Sequence, residues 1–245
     1  SKNNKKKEKI FMKTLKNMLV TLIAITALST NAFAGSIGIG IAGQAVSVTA
    51  DGTETPGGVN TGVENSVTTA TAGNEAMLGS VFAEINFGDD ERFTVGLDYI
   101  PGDADVSSKT HSRVDPASGD SNDTAGTKKA QATLSDHITY YAEYVVTNGI
   151  YLKGGFSQVD VKTTQTTFGT SSKYGTKTLD AWTVGLGQKG TFGTNGFYKV
   201  EGFMTDYDTF KATGTGASTT GASTNSTVSA DLDVLGAAFR LGYKF

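Results

Sequence analysis

Few residues in this chain could carry chemistry, and their types narrow the options at once. There is no cysteine, so a disulfide, a thiolate metal site, a cysteine nucleophile and a lipid anchor on an N-terminal cysteine are all excluded. Only two histidines occur, His111 and His137. His111 stands near Arg113 and Asp115 in a stretch read as a loop, and His137 lies in an alternating stretch on its polar side. Hydrolysis needs a base set against a nucleophile or a water, and neither histidine belongs to a motif of that kind. Residues 115–123 (DPASGDSND) are rich in calcium-type ligands but lack the spacing of an EF-hand loop, and read as an Asx-rich turn. The sequence therefore leads us to expect no catalytic residue, no metal and no cofactor.

The other candidates share a spacing rather than a motif. Glu84, Arg92, Asp98, His137, Glu143, Lys153, Lys199, Glu201 and Arg240 each fall on the polar side of a stretch in which apolar and polar residues alternate. Successive side chains of a strand point to opposite faces, so each such stretch is a strand with one apolar and one polar or small face. The end of the chain shows it plainly. Ala237, Phe239, Leu241, Tyr243 and Phe245 share one face, and Ala238, Arg240, Gly242 and Lys244 the other.

Eight stretches of this kind are predicted, at about 36–49, 76–87, 92–101, 129–146, 150–160, 178–189, 197–207 and 231–245. In the fourth, Leu134, Ile138, Tyr140, Ala142 and Tyr144 oppose Thr133, Ser135, His137, Thr139 and Glu143. No stretch after residue 34 keeps a helical period. The connections alternate in length. Residues 88–91, 147–149 and 190–196 are short turns rich in Gly, Asn and Asp, whereas 51–75, 102–128, 161–177 and 208–230 are long.

The 34 residues before this region differ in kind. They hold seven of the chain's 21 Lys and Arg but one of its 24 acids, which leaves 14 basic and 23 acidic residues from Gly35 onward. A basic start at Met12, an apolar run at 18–28 (MLVTLIAITAL) and Ala32-Phe33-Ala34 read as a secretory signal peptide over 12–34. The run is too short for a spanning helix, which needs about 20 residues. Residues 1–11 read as an upstream extension, and 35–245 as one domain. The remaining acidic balance gives no footprint for nucleic acid.

An even number of strands, short turns on one side and long loops on the other predict an all-β fold. It is a closed antiparallel eight-stranded transmembrane β-barrel, with short periplasmic turns and long extracellular loops. Phe87, Phe93, Tyr144, Phe192, Tyr198, Tyr243 and Phe245 map to the periplasmic rim, and Tyr99, Phe156 and Trp182 to the other, as aromatic girdles would. A secreted soluble barrel would also alternate, but would not need apolar residues on the outside of every strand. The polar faces then line the lumen, and the long loops, two of them low-complexity (163–178 and 213–229), project outside the cell.

This architecture resembles the small eight-stranded outer-membrane barrels of Gram-negative bacteria, which include the outer membrane protein A transmembrane domain and the OmpX, OmpW and opacity types. Residues 237–245 are similar to the C-terminal strand that such proteins present to the barrel-assembly machinery, with Phe239, Leu241, Tyr243 and Phe245 as its signal. The resemblance implies Sec-type export to the outer membrane, contact with lipid and lipopolysaccharide, and a structural or surface-interaction role. The loops are either a solvated exterior or a surface for an extracellular ligand. Proteolysis of the omptin type would need acids and a histidine at the outer rim, and lipid deacylation a Ser and a His facing the membrane; neither is indicated. Two readings of the lumen stay open. The inward charges form an ion-paired plug, or they line a narrow porin-like path, for which inward residues such as Gly38, Gly40, Gly96, Gly187 and Gly236 leave room for water.

Overall fold

The computed structural model describes residues 35–55, 67–88, 90–106, 111–115, 126–166, 174–214 and 227–245. The stretches read as an upstream extension (1–11) and a signal peptide (12–34), most of 115–123 and the centres of the long loops lie outside the described residues. The strands are β1 (Gly35–Thr55), β2 (Thr68–Phe87), β3 (Phe93–Asp105), β4 (His111–Asp115), β5 (Gly126–Thr147), β6 (Ile150–Thr166), β7 (Lys177–Phe192), β8 (Gly196–Thr213) and β9 (Thr227–Lys244). Eight of them close an antiparallel ring in the order β1, β2, β3, β5, β6, β7, β8, β9 and back to β1. The short β4 pairs with β5 beyond the end of β3, so part of the predicted 102–128 loop, including His111, is strand.

The turns follow from their residues. Asn148 and Gly149 both have positive φ, 46° and 77°, as the two centre positions of a tight hairpin turn require. The closing seam between β1 and β9 runs from Gly38 opposite Lys244 to Thr55 opposite Thr227 without a register shift.

Polarity is inverted in the lower part of the barrel. Outside, Ile41 is 63% exposed, Leu186 56% and Trp182 71%; inside, Glu84, Lys199 and Arg240 are at most 2% exposed. The girdle residues Phe93, Tyr144, Phe192, Tyr198, Tyr243 and Phe245 are exposed at the periplasmic rim. Trp182 and Phe156 stack edge to face, 5.8 Å between centroids, at the other.

The strands run on past this band. Most are 16–22 residues long, and about 9–11 suffice to cross a bilayer at a tilt. Above the band the polarity reverts to that of a water-soluble barrel. Val46, Val48, Val159, Val161, Leu179, Tyr207, Phe210, Leu232 and Val234 fill the lumen, while Asp51, Asp206, Asp231 and Asp233 face outward. Two bulges adjust the parity. One at Asp136 (φ 54°) shifts β5 against β6, and brings Leu134 against the apolar core instead of outside as its sequence parity predicts. The other, between Tyr207 and Phe210, turns Phe210 and Ala212 inward.

One irregularity interrupts the ladder. The β2–β3 ladder stops at Val81 opposite Tyr99, and the next bond between the two strands is Asn74 Nδ2 to the Asp105 carbonyl, 2.9 Å. Pro101 has no N–H to give and Gly102 has a φ of 100°, so the ladder cannot continue there, and β3 also slips against β5 at this point. Residues 75–80 and 100–104 face each other without ladder pairing. Amide exchange should be faster at those positions of 75–80 that face β3 than at those that face β1; uniform protection along β2 would contradict the break in pairing.

Candidate functional site

The lumen is built in layers, and each layer is supplied by alternate residues of neighbouring strands. Lowest, Lys199 of β8 donates to Glu84 of β2 and Glu143 of β5, each at 2.6 Å. Tyr141 adds a hydrogen bond to Glu84 at 3.1 Å. Next, Glu201 accepts from Lys153 at 2.8 Å, from Arg240 Nε and Nη2 at 3.0 and 2.8 Å, and from Tyr151 at 2.8 Å. The other guanidinium nitrogen of Arg240 pairs with Asp98. Above them a run of hydroxyls, Thr139, Ser157, Thr183 and Thr205, is linked by three 2.8 Å hydrogen bonds, and Gln44 donates to Ser80 at 3.0 Å. The apolar core sits on top.

Seven residues expected to line the lumen, Glu84, Asp98, Glu143, Lys153, Lys199, Glu201 and Arg240, are brought together in this network. His137 is inside but makes none of its ion pairs. Its ring lies 6.2 Å from that of Tyr207, and its Nδ1 is buried without a hydrogen-bond partner beside a cavity of about 20 Å³. Arg92 is a correction. It precedes β3 rather than belonging to it, stands outside the lumen at the periplasmic rim, pairs with Asp90 at 3.6 Å, and its side chain is 47% exposed. There it donates to the Val146 carbonyl at 3.1 Å and lies over Tyr144.

The room for water expected beside the inward glycines is filled at several of them, where an aromatic ring lies against the glycine. A Cβ at Gly96 would sit 2.3 Å from Tyr141, at Gly187 2.5 Å from Tyr151, at Gly40 2.5 Å from Phe82, and at Gly242 2.2 Å from Phe197. These rings also face the cations: Lys153 lies 4.6 Å from the Tyr141 centroid and Arg240 5.3 Å from that of Phe82. The alternating pattern placed Tyr141 on the inward parity between Thr139 and Glu143, which was the signal available for it.

Three charged residues that the expected set omits close the periplasmic mouth: Glu91, Lys189 and Lys244. Glu91 pairs with Lys244, and its carbonyl accepts from Lys189 at 2.7 Å. With them the column balances. Five carboxylates (Glu84, Glu91, Asp98, Glu143, Glu201) face five cations (Lys153, Lys189, Lys199, Arg240, Lys244). A closed ring, an apolar band between two aromatic girdles and a charged interior make the chain an integral β-barrel of the outer-membrane type.

No protein-family model matches the chain, and no curated protein matches it. Among solved structures it is similar to the outer membrane protein OprG from Pseudomonas aeruginosa, at 14% identity over 87% of this chain and 97% of that one, with a TM-score of 0.46. It is also similar to the outer membrane protease OmpT from Escherichia coli, at 10% identity over 86% and 97%, TM-score 0.43. A third is Ail, the attachment invasion locus protein of Yersinia pestis, at 13% identity over 86% and 97%, TM-score 0.37. Likeness this distant says nothing of activity, and the barrel stands on its own register and polarity.

A buried charge left without its partner is costly, so Lys199→Met should destabilise the barrel by about 3–5 kcal/mol. Adding Glu84→Gln and Glu143→Gln should restore most of the loss. Urea unfolding of the refolded barrel, followed by the mobility difference between folded and boiled samples, checks both.

Proposed function

We propose that the protein is a sealed outer-membrane barrel with a structural or surface-interaction role, whose working surface is the part that rises above the bilayer. The observation that carries this reading is the filled lumen. Ion pairs, hydroxyls and an apolar core follow one another along its axis, and the space beside His137 has a volume of about 20 Å³, enough for one water. Charges locked in pairs and capped by rings hold a wall rigid but give an ion no path. The porin-like alternative drew on the inward glycines, and aromatic rings occupy that space.

A hydrolytic role has less support. His137 sits behind the barrel wall, and its neighbours Thr139, Thr183 and Thr205 spend their hydroxyls on one another and on Ser157. The apolar band and girdles suit contact with outer-membrane lipid and lipopolysaccharide. The outward face of β9, with Phe239, Leu241, Tyr243 and Phe245 exposed, suits presentation to the barrel-assembly machinery after Sec-type export. Loops held on a long, dry-cored barrel are well placed to meet an extracellular ligand.

Planar-bilayer recording of refolded residues 35–245 tests the reading, with folding checked first by heat-modifiable gel mobility. A folded protein that stays silent is expected. Discrete, reproducible openings that change in Glu143→Gln would overturn the sealed reading in favour of a narrow channel.

A further inference from the structure

The residue that closes the periplasmic mouth lies on a turn, not on an alternating strand. Glu91 sits between β2 and β3 with a φ of 48°, and residues from three other strands converge on it. Its carboxylate accepts from Ser36 Oγ of β1 at 2.5 Å and pairs with Lys244 of β9. Its carbonyl accepts from Lys189 of β7, on the far side of the mouth. Underneath, Asn86 donates to Ser36 at 3.1 Å and Thr94 donates to Asn86 at 2.7 Å, so β1, β2 and β3 are tied together.

The two carboxylate partners lie on opposite sides of the closing seam. Ser36 is at the start of β1 and Lys244 at the end of β9. Between them the seam ends in one reciprocal backbone pair: Phe245 N–H donates to the Ile37 carbonyl at 2.9 Å, and Ile37 N–H donates back at 3.5 Å. A strand end of this kind opens first unless something holds it. Here a carboxylate from outside the seam spans it.

We propose that Glu91 is a latch that clamps the β1–β9 seam across the periplasmic mouth and releases it on taking up a proton. The charged groups around it are Lys244 from β9, Lys189 from β7, Asp90 and Arg92 on its own turn, and the α-carboxylate of Phe245 at the seam end, whose titration Glu91→Gln leaves in place. β1 offers the neutral Ser36, and Lys199 of β8 and Glu143 of β5 lie one layer deeper. Burial works against the charged form, but the hydrogen bonds from Lys244 and Ser36 and the charges of Lys244 and Lys189 outweigh it. They hold the carboxyl below its ordinary value of 4.5. A carboxyl lowered in the folded state contributes stability above its ordinary value and loses it as pH falls through the lower, folded one. The latch is therefore closed at neutral pH and opens only in acid, whether or not the lumen above it conducts.

Amide exchange at Ile37 and Phe245 of the full barrel in micelles, referenced to mid-seam amides such as Val46 and Leu235, reads the latch directly. In the unaltered protein, relative protection at the two seam-end amides should fall about fivefold between neutral pH and about pH 3, the size of a partly exposed ion pair. Glu91→Gln should show the lower protection already at neutral pH and little further change in acid, and Lys244→Gln should match it at neutral pH. Full protection at neutral pH in Glu91→Gln, or an acid loss in it as large as in the unaltered protein, would overturn the latch. If Glu91→Gln does not refold, full protection in Lys244→Gln at neutral pH overturns it equally.

Discussion

Hydrocarbon offers a peptide group no water, so every N–H and C=O at membrane depth must find its partner on a neighbouring strand. That demand shapes the rest of this protein. It forces the ring to close, with β1 on β9 in an unbroken ladder, and it turns apolar side chains outward where they meet lipid. It also fixes where the ladder can afford to fail. Among the described residues, pairing between β2 and β3 stops above Val81 and Tyr99, beside the outer girdle, where water can serve the backbone groups beyond.

Closing the ring creates the second problem, a lumen too narrow for bulk water and too polar to leave empty. The chain fills it with charges that balance along the column and with rings laid against glycines. Such a network contributes specificity and rigidity more than net stability, because the desolvation of each ion roughly cancels its attraction to its partner. The same wall then changes role along its length. Below, it is inside out. Above, Val46, Val48, Leu232 and Val234 form the kind of dry core that a soluble barrel would have, and aspartates face water outside.

The eight strands were legible because lipid enforces the alternation that a reader of the sequence detects. The buried charges were legible for the same reason, since a Glu or Lys between two outward apolar residues can only point inward. What escaped the pattern has physical causes. The bulge at Asp136 flips parity, so Leu134 reads as outward although it packs inward. The upper lumen was hidden because Val46 and Val48 continue the polar parity of Gln44, and an apolar residue there gives no sign of which solvent lies outside. Glycine spacing could not reveal that Tyr141 and Tyr151 reach across from neighbouring strands. Arg92 and Glu91 belong to a turn, where period two no longer assigns a side. That is why the alternating pattern points Arg92 inward, where it does not lie, and passes over Glu91.

The central claim is that the lumen is sealed and its upper half dry. Water-to-protein magnetisation transfer measured on the barrel in bilayers tests it without altering a residue. Transfer should be fast at the outward Thr49 and Asp51 and slow at Val46, Val48, Phe210 and Leu232, as slow as at lipid-facing Ile39 and Ile41. Fast transfer to Val46, Val48 and Phe210 would mean that water fills the upper barrel, and the account of a sealed lumen would be wrong.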